Sequence, residues 1–172
     1  KSSKNDAGWL PLWRHMDDSA AVAGHLWDSW LPATSRRLIA EALPGGEGDG
    51  RRLVVWLAGV HDIGKATPVF ASQVLSLAEP MRRHGLHMRD KYPSRDARLT
   101  RHAVAGQILL ERWLADRYGW DRIQSRQLAV VVGGHHGVPP TTSEILDAEG
   151  HLGLLGLRDS QQAWQGVQRG LL

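Results

Sequence analysis

The amino-acid sequence predicts a compact all-α fold. Apolar side chains recur at intervals of three and four residues along nearly the whole chain, which is the spacing that places them on one side of a helix. No alternation with a period of two is long enough to indicate a β-strand. The one ambiguous run is LAVVV, residues 128–132, because a short apolar stretch suits either a strand or a buried helix.

The first two predicted helices are bounded by proline and by hydroxyl side chains. One helix is predicted over about residues 16–30, and Pro32 follows its end. Thr34 or Ser35 can cap a second helix that continues through Leu43. Both helices therefore have residues at their borders that ordinarily start or stop a helix.

Glycine and proline also delimit the next elements. Residues 44–50 contain four glycines and are predicted to form a loop. A buried helix is expected over about residues 51–62, with its end near Gly64. Thr67 and Pro68 suit a capping residue and a first helical position, so a further helix is predicted to begin there.

The longest periodic segment lies in the second half of the chain. Residues 80–97 are predicted to be irregular, and a long helix is predicted over residues 98–118 with Gly119 as its C-terminal stop. Another helix should cover residues 122–133. Shorter helices are predicted over residues 141–148 and 160–171.

Composition restricts the class of protein and the chemistry of any metal site. The 172 residues are 42% hydrophobic and 23% charged, as in a soluble globular domain, and no apolar run is long enough to indicate a membrane partner. Cysteine is absent, which excludes disulfides, zinc fingers and iron–sulfur clusters and is compatible with a cytoplasmic location. Imidazole and carboxylate groups would have to bind any metal, and they suit manganese, iron, cobalt, nickel or zinc.

The net charge of +3 is mildly basic, and the distribution of the cations is more informative than their number. A basic segment, Arg82–Arg101, contains only two acids, Asp90 and Asp96. It is compatible with a solvated loop or with a surface that follows phosphates, and the sequence leaves both open. The candidates for nucleic-acid binding are Arg82, Arg83, Arg89, Lys91, Arg98 and Arg101.

His61 and Asp62 follow the apolar run LVVWLA, although charged groups are costly to bury unless they are paired or bound to metal. Adjacent helical residues diverge by about 100°, so one metal would not normally bind both side chains from one face. A carboxylate has two oxygens, however, and can bridge two metals while the histidine binds one. A capping aspartate beside an ordinary histidine is the alternative.

Other histidines stand in settings that could bring them to the same site. His135 and His136 lie among glycines in VVGGHHGVPP, where the backbone can bend both imidazoles to one side. His102 has space beside it at Gly106, one turn on, and His15 lies in the first helix. Singly, each is more often an ordinary residue. Together they form the order H … HD … H … HH over separate helices, as a metal site inside a helical bundle requires.

Four segments resemble the HD-domain metal-dependent phosphohydrolases and, within them, the HD nuclease domain of the CRISPR-associated helicase–nuclease of type I systems. They are WRHMDDSAAVAGHLW, LVVWLAGVHDIGKATPVFAS, RHAVAGQILLERWL and VVGGHHGVPP. Their order and spacing fit, and the resemblance covers most of the chain. HDIGK is common to many HD enzymes, whereas HDIGKATPVF combined with GGHHG is far more specific.

The resemblance implies a compact HD-domain helical bundle with a metal site between helices. It assigns one metal to His15, His61 and Asp62, and has Asp62 bridge to a second metal held by His102, His135 and His136. Lys65 would face the scissile phosphate, so Asp62 and Lys65 are the catalytic candidates. The other four histidines, His25, His84, His87 and His151, are expected to be non-ligands.

The implied activity is cleavage of single-stranded DNA in CRISPR antiviral defence, with one or two divalent transition-metal ions. The implied partners are a helicase domain, in cis or in trans, and a multi-subunit RNA-guided surveillance complex. Two other functions stay open. A phosphohydrolase of nucleotides or cyclic nucleotides should have a closed pocket with base-specific contacts, whereas a nuclease needs an open basic groove. An HD-like docking module would perform no hydrolysis.

One family residue has no counterpart in the sequence. The family supplies a further aspartate to the first metal, usually in an ADW-like context, and neither Asp147 nor Asp159 lies in such a context. We therefore expect residues 1–172 to be a single HD nuclease domain from the N-terminal part of a longer helicase–nuclease.

Overall fold

The structure, a computed structural model, describes residues 8–172, and every regular element within that range is helical. The predicted all-α fold class is therefore confirmed. The chain divides into a first unit that ends at Val60 and a second unit, His61–Leu172. Among the residues described, no helix has the length and apolar character needed to cross a membrane.

The first unit consists of three helices. They are α1 (Leu12–Ser29), α2 (Ala33–Glu41) and α3 (Gly46–Val60). Helix α3 packs against the other two. The buried indole of Trp27 on α1 lies directly on Gly50 of α3, where a Cβ would come within 2.8 Å of the ring. Close packing at Gly50 therefore joins α1 to α3.

Three predicted boundaries in the first unit are wrong. Helix α1 begins at Leu12, four residues before its predicted start. Helix α3 already begins at Gly46, inside the predicted loop, because Asp49 in its first turn accepts a hydrogen bond from the backbone N–H of Gly45 at 2.7 Å. An acidic side chain there also favours the helix dipole. Helix α2 begins directly after Pro32, without a side-chain cap, so neither Thr34 nor Ser35 caps it.

The second unit is built around one long helix. Its elements are α4 (Pro68–Ala71), α5 (Leu75–Arg83), α6 (Ser94–Leu99), α7 (His102–Tyr118), α8 (Arg122–Gly133), α9 (Thr142–Glu149), α10 (Leu152–Leu155) and α11 (Gln162–Leu171). Helix α7 packs against α8 and α9. The core joins α7, α9 and α10 through Val104, Ala105, Ile108, Ile145, Ala148 and Leu155.

Helix α8 matches its prediction of residues 122–133, and the ambiguous run 128–132 is helical. Gly119 ends α7 as predicted, with a φ of +67° that a residue with a side chain would rarely adopt. The predicted start of this helix at residue 98 is wrong, since α6 ends at Leu99 and α7 begins at His102. The prediction of an irregular segment over residues 80–97 is wrong at both ends, since α5 continues through Pro80 to Arg83 and α6 begins at Ser94. Thr67 precedes α4 but does not cap it, because its buried hydroxyl donates to the carbonyl oxygen of Gly64.

Candidate metal centre

The motif HDIGK forms a tight turn at the start of the second unit. Residues Ile63–Lys65 adopt a 3₁₀ turn that packs against α7, and the side chain of Ile63 is fully buried. Gly64 lies against the first turn of α7, where a Cβ would overlap the carbonyl oxygen of His102 and crowd the backbone nitrogen of Gly106. The absence of a side chain at Gly64 therefore allows Asp62 to come close to His102.

Asp62 lies at the centre of the site and is only 3% exposed. Its Oδ2 accepts a hydrogen bond from the Lys65 ammonium at 2.5 Å and lies 3.2 Å from Nε2 of His61. Its Oδ1 faces the other way and lies 3.5 Å from Nε2 of His102 and 3.7 Å from Nε2 of His135. The two carboxylate oxygens therefore serve two different groups of side chains.

The surroundings of Asp62 favour its ionised form. Burial alone would raise the pKa of its carboxyl group, but the hydrogen bond and the charge of Lys65, with smaller contributions from His61 and His102, hold that pKa below its ordinary value. Asp62 is thus a carboxylate at neutral pH. That is the form that binds a cation.

His135 is oriented by the backbone at the end of α8. Its Nδ1 donates to the carbonyl oxygen of Val132 at 2.6 Å, so in the neutral ring Nε2 carries the lone pair. This Nε2 is buried and has no hydrogen-bond partner among residues 8–172. A histidine that donates one ring N–H to a backbone carbonyl and directs the other nitrogen into a polar site has the usual orientation of a metal ligand.

His102 and His136 complete the cluster. Their Nε2 atoms lie 2.7 Å apart, and the ring centroids of His135 and His136 are separated by 4.1 Å. Burial lowers the pKa of His102 to about 4, partly opposed by the charge of Asp62, so this imidazole is neutral at pH 7. A neutral imidazole can donate its lone pair to a metal.

The donor set fits a divalent transition metal. One ring nitrogen from each of His102, His135 and His136 lies within 4.8 Å of the other two, and the Asp62 carboxylate faces the same group. Imidazole nitrogen with carboxylate oxygen suits manganese, iron, cobalt, nickel or zinc, and does not by itself select one of them. The buried Nε2 of His135, which has no hydrogen-bond partner within the described range, is the atom that a metal ion would satisfy most directly.

Other predicted residues lie outside this cluster. His15 is half-buried on α1 in the first unit, and its role as a ligand stays a prediction. In the basic segment, Arg82 forms ion pairs with Glu79 and Asp90 and Arg101 forms one with Glu144, whereas Arg83, Lys91 and Arg98 form none within the described residues.

Phe70 is a neighbour of the cluster that sequence reasoning left out. Its ring lies edge-on to the ring of His102, with centroids 5.9 Å apart, and the Lys65 ammonium lies 5.8 Å from its centroid. The one signal in the sequence is its place within HDIGKATPVF, five residues after Lys65. That signal places it in the same segment without saying which way the ring points.

An all-helical fold with a His-Asp pair, whose aspartate is buried and faces further histidines, defines the HD class of metal-dependent hydrolases. The chain belongs to one family of that class, since the model of the family described as "Cas3, HD domain" matches residues 1–172. The family is CRISPR-associated, and an HD domain implies binding of divalent metal.

Two curated relatives bear related names. The chain is 35% identical over 143 residues to the CRISPR-associated nuclease/helicase Cas3 of Streptococcus thermophilus, covering 76% of the chain and 14% of the relative. It is 32% identical over 170 residues to the CRISPR-associated endonuclease/helicase Cas3 of Thermus thermophilus, covering 99% of the chain and 17% of the relative. The chain therefore corresponds to less than a fifth of the length of these relatives.

A solved structure described as the crystal structure of a CRISPR-associated protein has a similar fold. It superposes with a TM-score of 0.79 at 32% sequence identity, and the match covers 99% of the chain and 18% of the solved chain. At this identity and coverage, the likeness extends over nearly all the residues of the chain.

Proposed function

We propose that this chain is a metal-dependent nuclease domain that hydrolyses phosphodiester bonds of single-stranded DNA in CRISPR antiviral defence. The observation that carries the proposal is the arrangement around Asp62. A buried, ionised carboxylate directs one oxygen toward His102 and His135 and the other toward His61. This geometry suits a carboxylate that bridges two metal ions.

The proposal gives each side chain a separate task. His102, His135 and His136 would hold one metal, and His61 would hold the other together with His15, which the family resemblance assigns, with Asp62 a ligand to both. When bound, the metal ions would supply a water of lowered pKa and positive charge for the phosphodiester in the transition state. Lys65 neutralises the carboxylate through Oδ2, and its ammonium supplies a compact positive charge for a phosphate oxygen next to the site.

Two features favour a polymeric substrate over a free nucleotide. His136 is exposed, so the cluster opens to solvent. Among the described residues, the lining of the cleft that begins at His102 and His136 has one cation, Arg101, which pairs with Glu144, so the cleft offers little positive charge for the several phosphates of a free nucleotide. The proposal also includes a helicase partner, because both relatives are named as Cas3 proteins with nuclease and helicase functions. It further includes a multi-subunit RNA-guided surveillance complex and a cytoplasmic location, which rest on the family resemblance alone.

The test is cleavage of a labelled single-stranded DNA circle by the purified 172-residue chain with manganese, cobalt or nickel. A circle has no ends, so a linear product requires endonuclease action. We expect metal-dependent cutting that EDTA abolishes and that falls by more than about 100-fold in Asp62→Ala, because removing a ligand should exceed the 10- to 100-fold cost of altering a residue that only supports a ligand.

The matched control is Asp147→Ala, which removes an exposed carboxylate on α9 and should leave cutting unchanged. The same preparations should be offered nucleotides and cyclic nucleotides. Hydrolysis of these without cutting of the circle would favour the phosphohydrolase. A folded, metal-loaded chain that hydrolyses neither substrate would contradict the enzymatic proposal and favour the docking module.

A further inference from the structure

A cleft of about 480 Å³ begins at His102 and His136 in the second unit. Its wall includes Val69 and Phe70 from α4, the start of α7, and Val138 and Pro140 from the segment after His136. The volume lies in the range of clefts that bind small organic groups. Because two candidate metal ligands form part of its lining, any group in the cleft would lie next to the metal centre.

The lining has the chemistry expected around a flat, weakly polar group. Phe70 offers an aromatic ring, and Val138, which is 79% exposed, stands at the rim. The described residues that line the cleft include one cation, Arg101, and no acid. Arg101 pairs with Glu144, so much of its charge is already neutralised. The cleft therefore suits an aromatic group better than a second phosphate.

Two polar side chains of the lining differ in their availability. The hydroxyl of Thr100 is engaged, since it donates to the carbonyl oxygen of Asp96 at 2.8 Å. The side chain of Gln73 is exposed, and its amide group makes no hydrogen bond with the other described residues. An amide carries both a donor and an acceptor, so Gln73 can pair with the edge of any base.

We propose that this cleft holds the base of the nucleotide next to the scissile phosphate, with Phe70 as its stacking platform and Gln73 at its polar edge. The inference rests on the proposed nuclease function, which places the phosphate at the neighbouring metal centre. Stacking on an aromatic ring tolerates every base. The subsite therefore holds the strand in place with little preference for sequence.

The first experiment measures binding without metal, so that no cutting occurs. A fluorescein-labelled single-stranded oligonucleotide is titrated with the full chain in EDTA, and its affinity is read by fluorescence anisotropy. We expect Phe70→Leu to weaken binding by about 5-fold or more, as expected for loss of one base–aromatic stack, and Phe70→Tyr to bind like the unaltered chain. Gln73→Ala should weaken binding of the oligonucleotide by less than Phe70→Leu does.

Tyr118→Leu is the matched control, because Tyr118 is 57% exposed and lies outside the cleft. It removes an aromatic ring from the surface and should leave the affinity unchanged. Equal weakening by Phe70→Leu and Tyr118→Leu, unchanged binding by Phe70→Leu, or failure of the unaltered chain to bind would each overturn the subsite. Circular dichroism shows whether Phe70→Leu is folded. Because Gln73 is exposed, the affinity of Gln73→Ala tests the subsite even if Phe70→Leu does not fold.

The second experiment locates the base. Oligonucleotides with a single abasic position are cut by the metal-loaded chain, and the cut sites are mapped. We expect cutting next to the abasic position to fall about 5-fold or more in the unaltered chain, and this difference to disappear in Phe70→Leu. A difference that persists in Phe70→Leu would overturn the assignment. A chain that shows the expected binding differences but cuts nothing would contradict the nuclease function, and the binding subsite would stand.

Discussion

The turn at residues 61–65 and the basic segment, Arg82–Arg101, both belong to the second unit, yet their side chains are held very differently. Asp62 is almost fully buried and lies within 4 Å of ring nitrogens from three histidines and of the Lys65 ammonium. Arg83, Lys91 and Arg98 are exposed and form no ion pair within the part of the chain described. Packing and pairing fix the side chains of the turn in place. The exposed cations are not held in this way, and they can contribute to binding only through their charge.

Arg82 shows that the basic segment is not uniform. It is mostly buried, and besides its ion pairs it donates to the carbonyl oxygens of Met88 and Arg89 at 3.3 and 3.2 Å. It therefore holds the loop between α5 and α6 in shape, and its role in the fold differs from that of its exposed neighbours. The comparison teaches that substitutions at the turn and at the histidines facing Asp62 should strongly change metal binding or stability. Substitutions of the exposed cations should have small, salt-dependent effects on DNA binding.

The largest effect in this comparison is expected from His135→Gln. The change removes the buried Nε2 that faces Asp62, so the affinity for cobalt should fall by about 100-fold or more, and DNA cutting should fall with it. Titration of the chain with Co²⁺, followed by visible absorption, measures the affinity. His87→Gln, an exposed histidine outside the cluster, is the control. Unaltered cobalt affinity in His135→Gln would remove His135 from the ligand set.

A smaller but clear effect is expected from Gly64→Ala. The added methyl group would overlap the carbonyl oxygen of His102, and such overpacking costs about 1–3 kcal/mol in the free energy of unfolding. Urea denaturation of the metal-free chain measures it. Gly166→Ala on α11 is the control, since a Cβ there meets nothing within 4 Å and should stabilise the helix by up to about 1 kcal/mol. Equal stability of the two variants would contradict the close packing of the turn on α7.

The smallest effect is expected from the exposed cations. Replacing Arg83, Lys91 and Arg98 by alanine should weaken binding of single-stranded DNA only at low salt, and should reduce the salt dependence of the logarithm of the affinity by about 0.7 for each phosphate that these cations neutralise. A variant with alanine at the exposed positions Arg37, Arg112 and Arg117 loses the same charge elsewhere. If both triple variants have the same salt dependence, the basic segment is only a solvated loop.

Local signals predict much of the fold because they act within a few residues. Helix α8 begins after Asp121, whose side chain accepts from the backbone N–H groups of Ile123 and Gln124, and its bounds match the prediction. Helix α9 begins in the same way at Thr141. The predictions fail where tertiary packing overrides a local signal, as at Pro80, which costs one helical hydrogen bond while the fully buried Ala78 holds α5 in place.

The candidate site also combines features that the sequence predicts with features that only the tertiary structure provides. The sequence alone determined which side chains are available, namely imidazoles and carboxylates without thiols, together with their order along the chain and the helical class of the fold. Only the tertiary structure decided that His102 and His135, 33 residues apart, face the same oxygen of Asp62, and that Phe70 borders a cleft beside them. The physical reason is that composition and periodicity act locally, whereas the direction of a buried side chain is set by the helices packed against it.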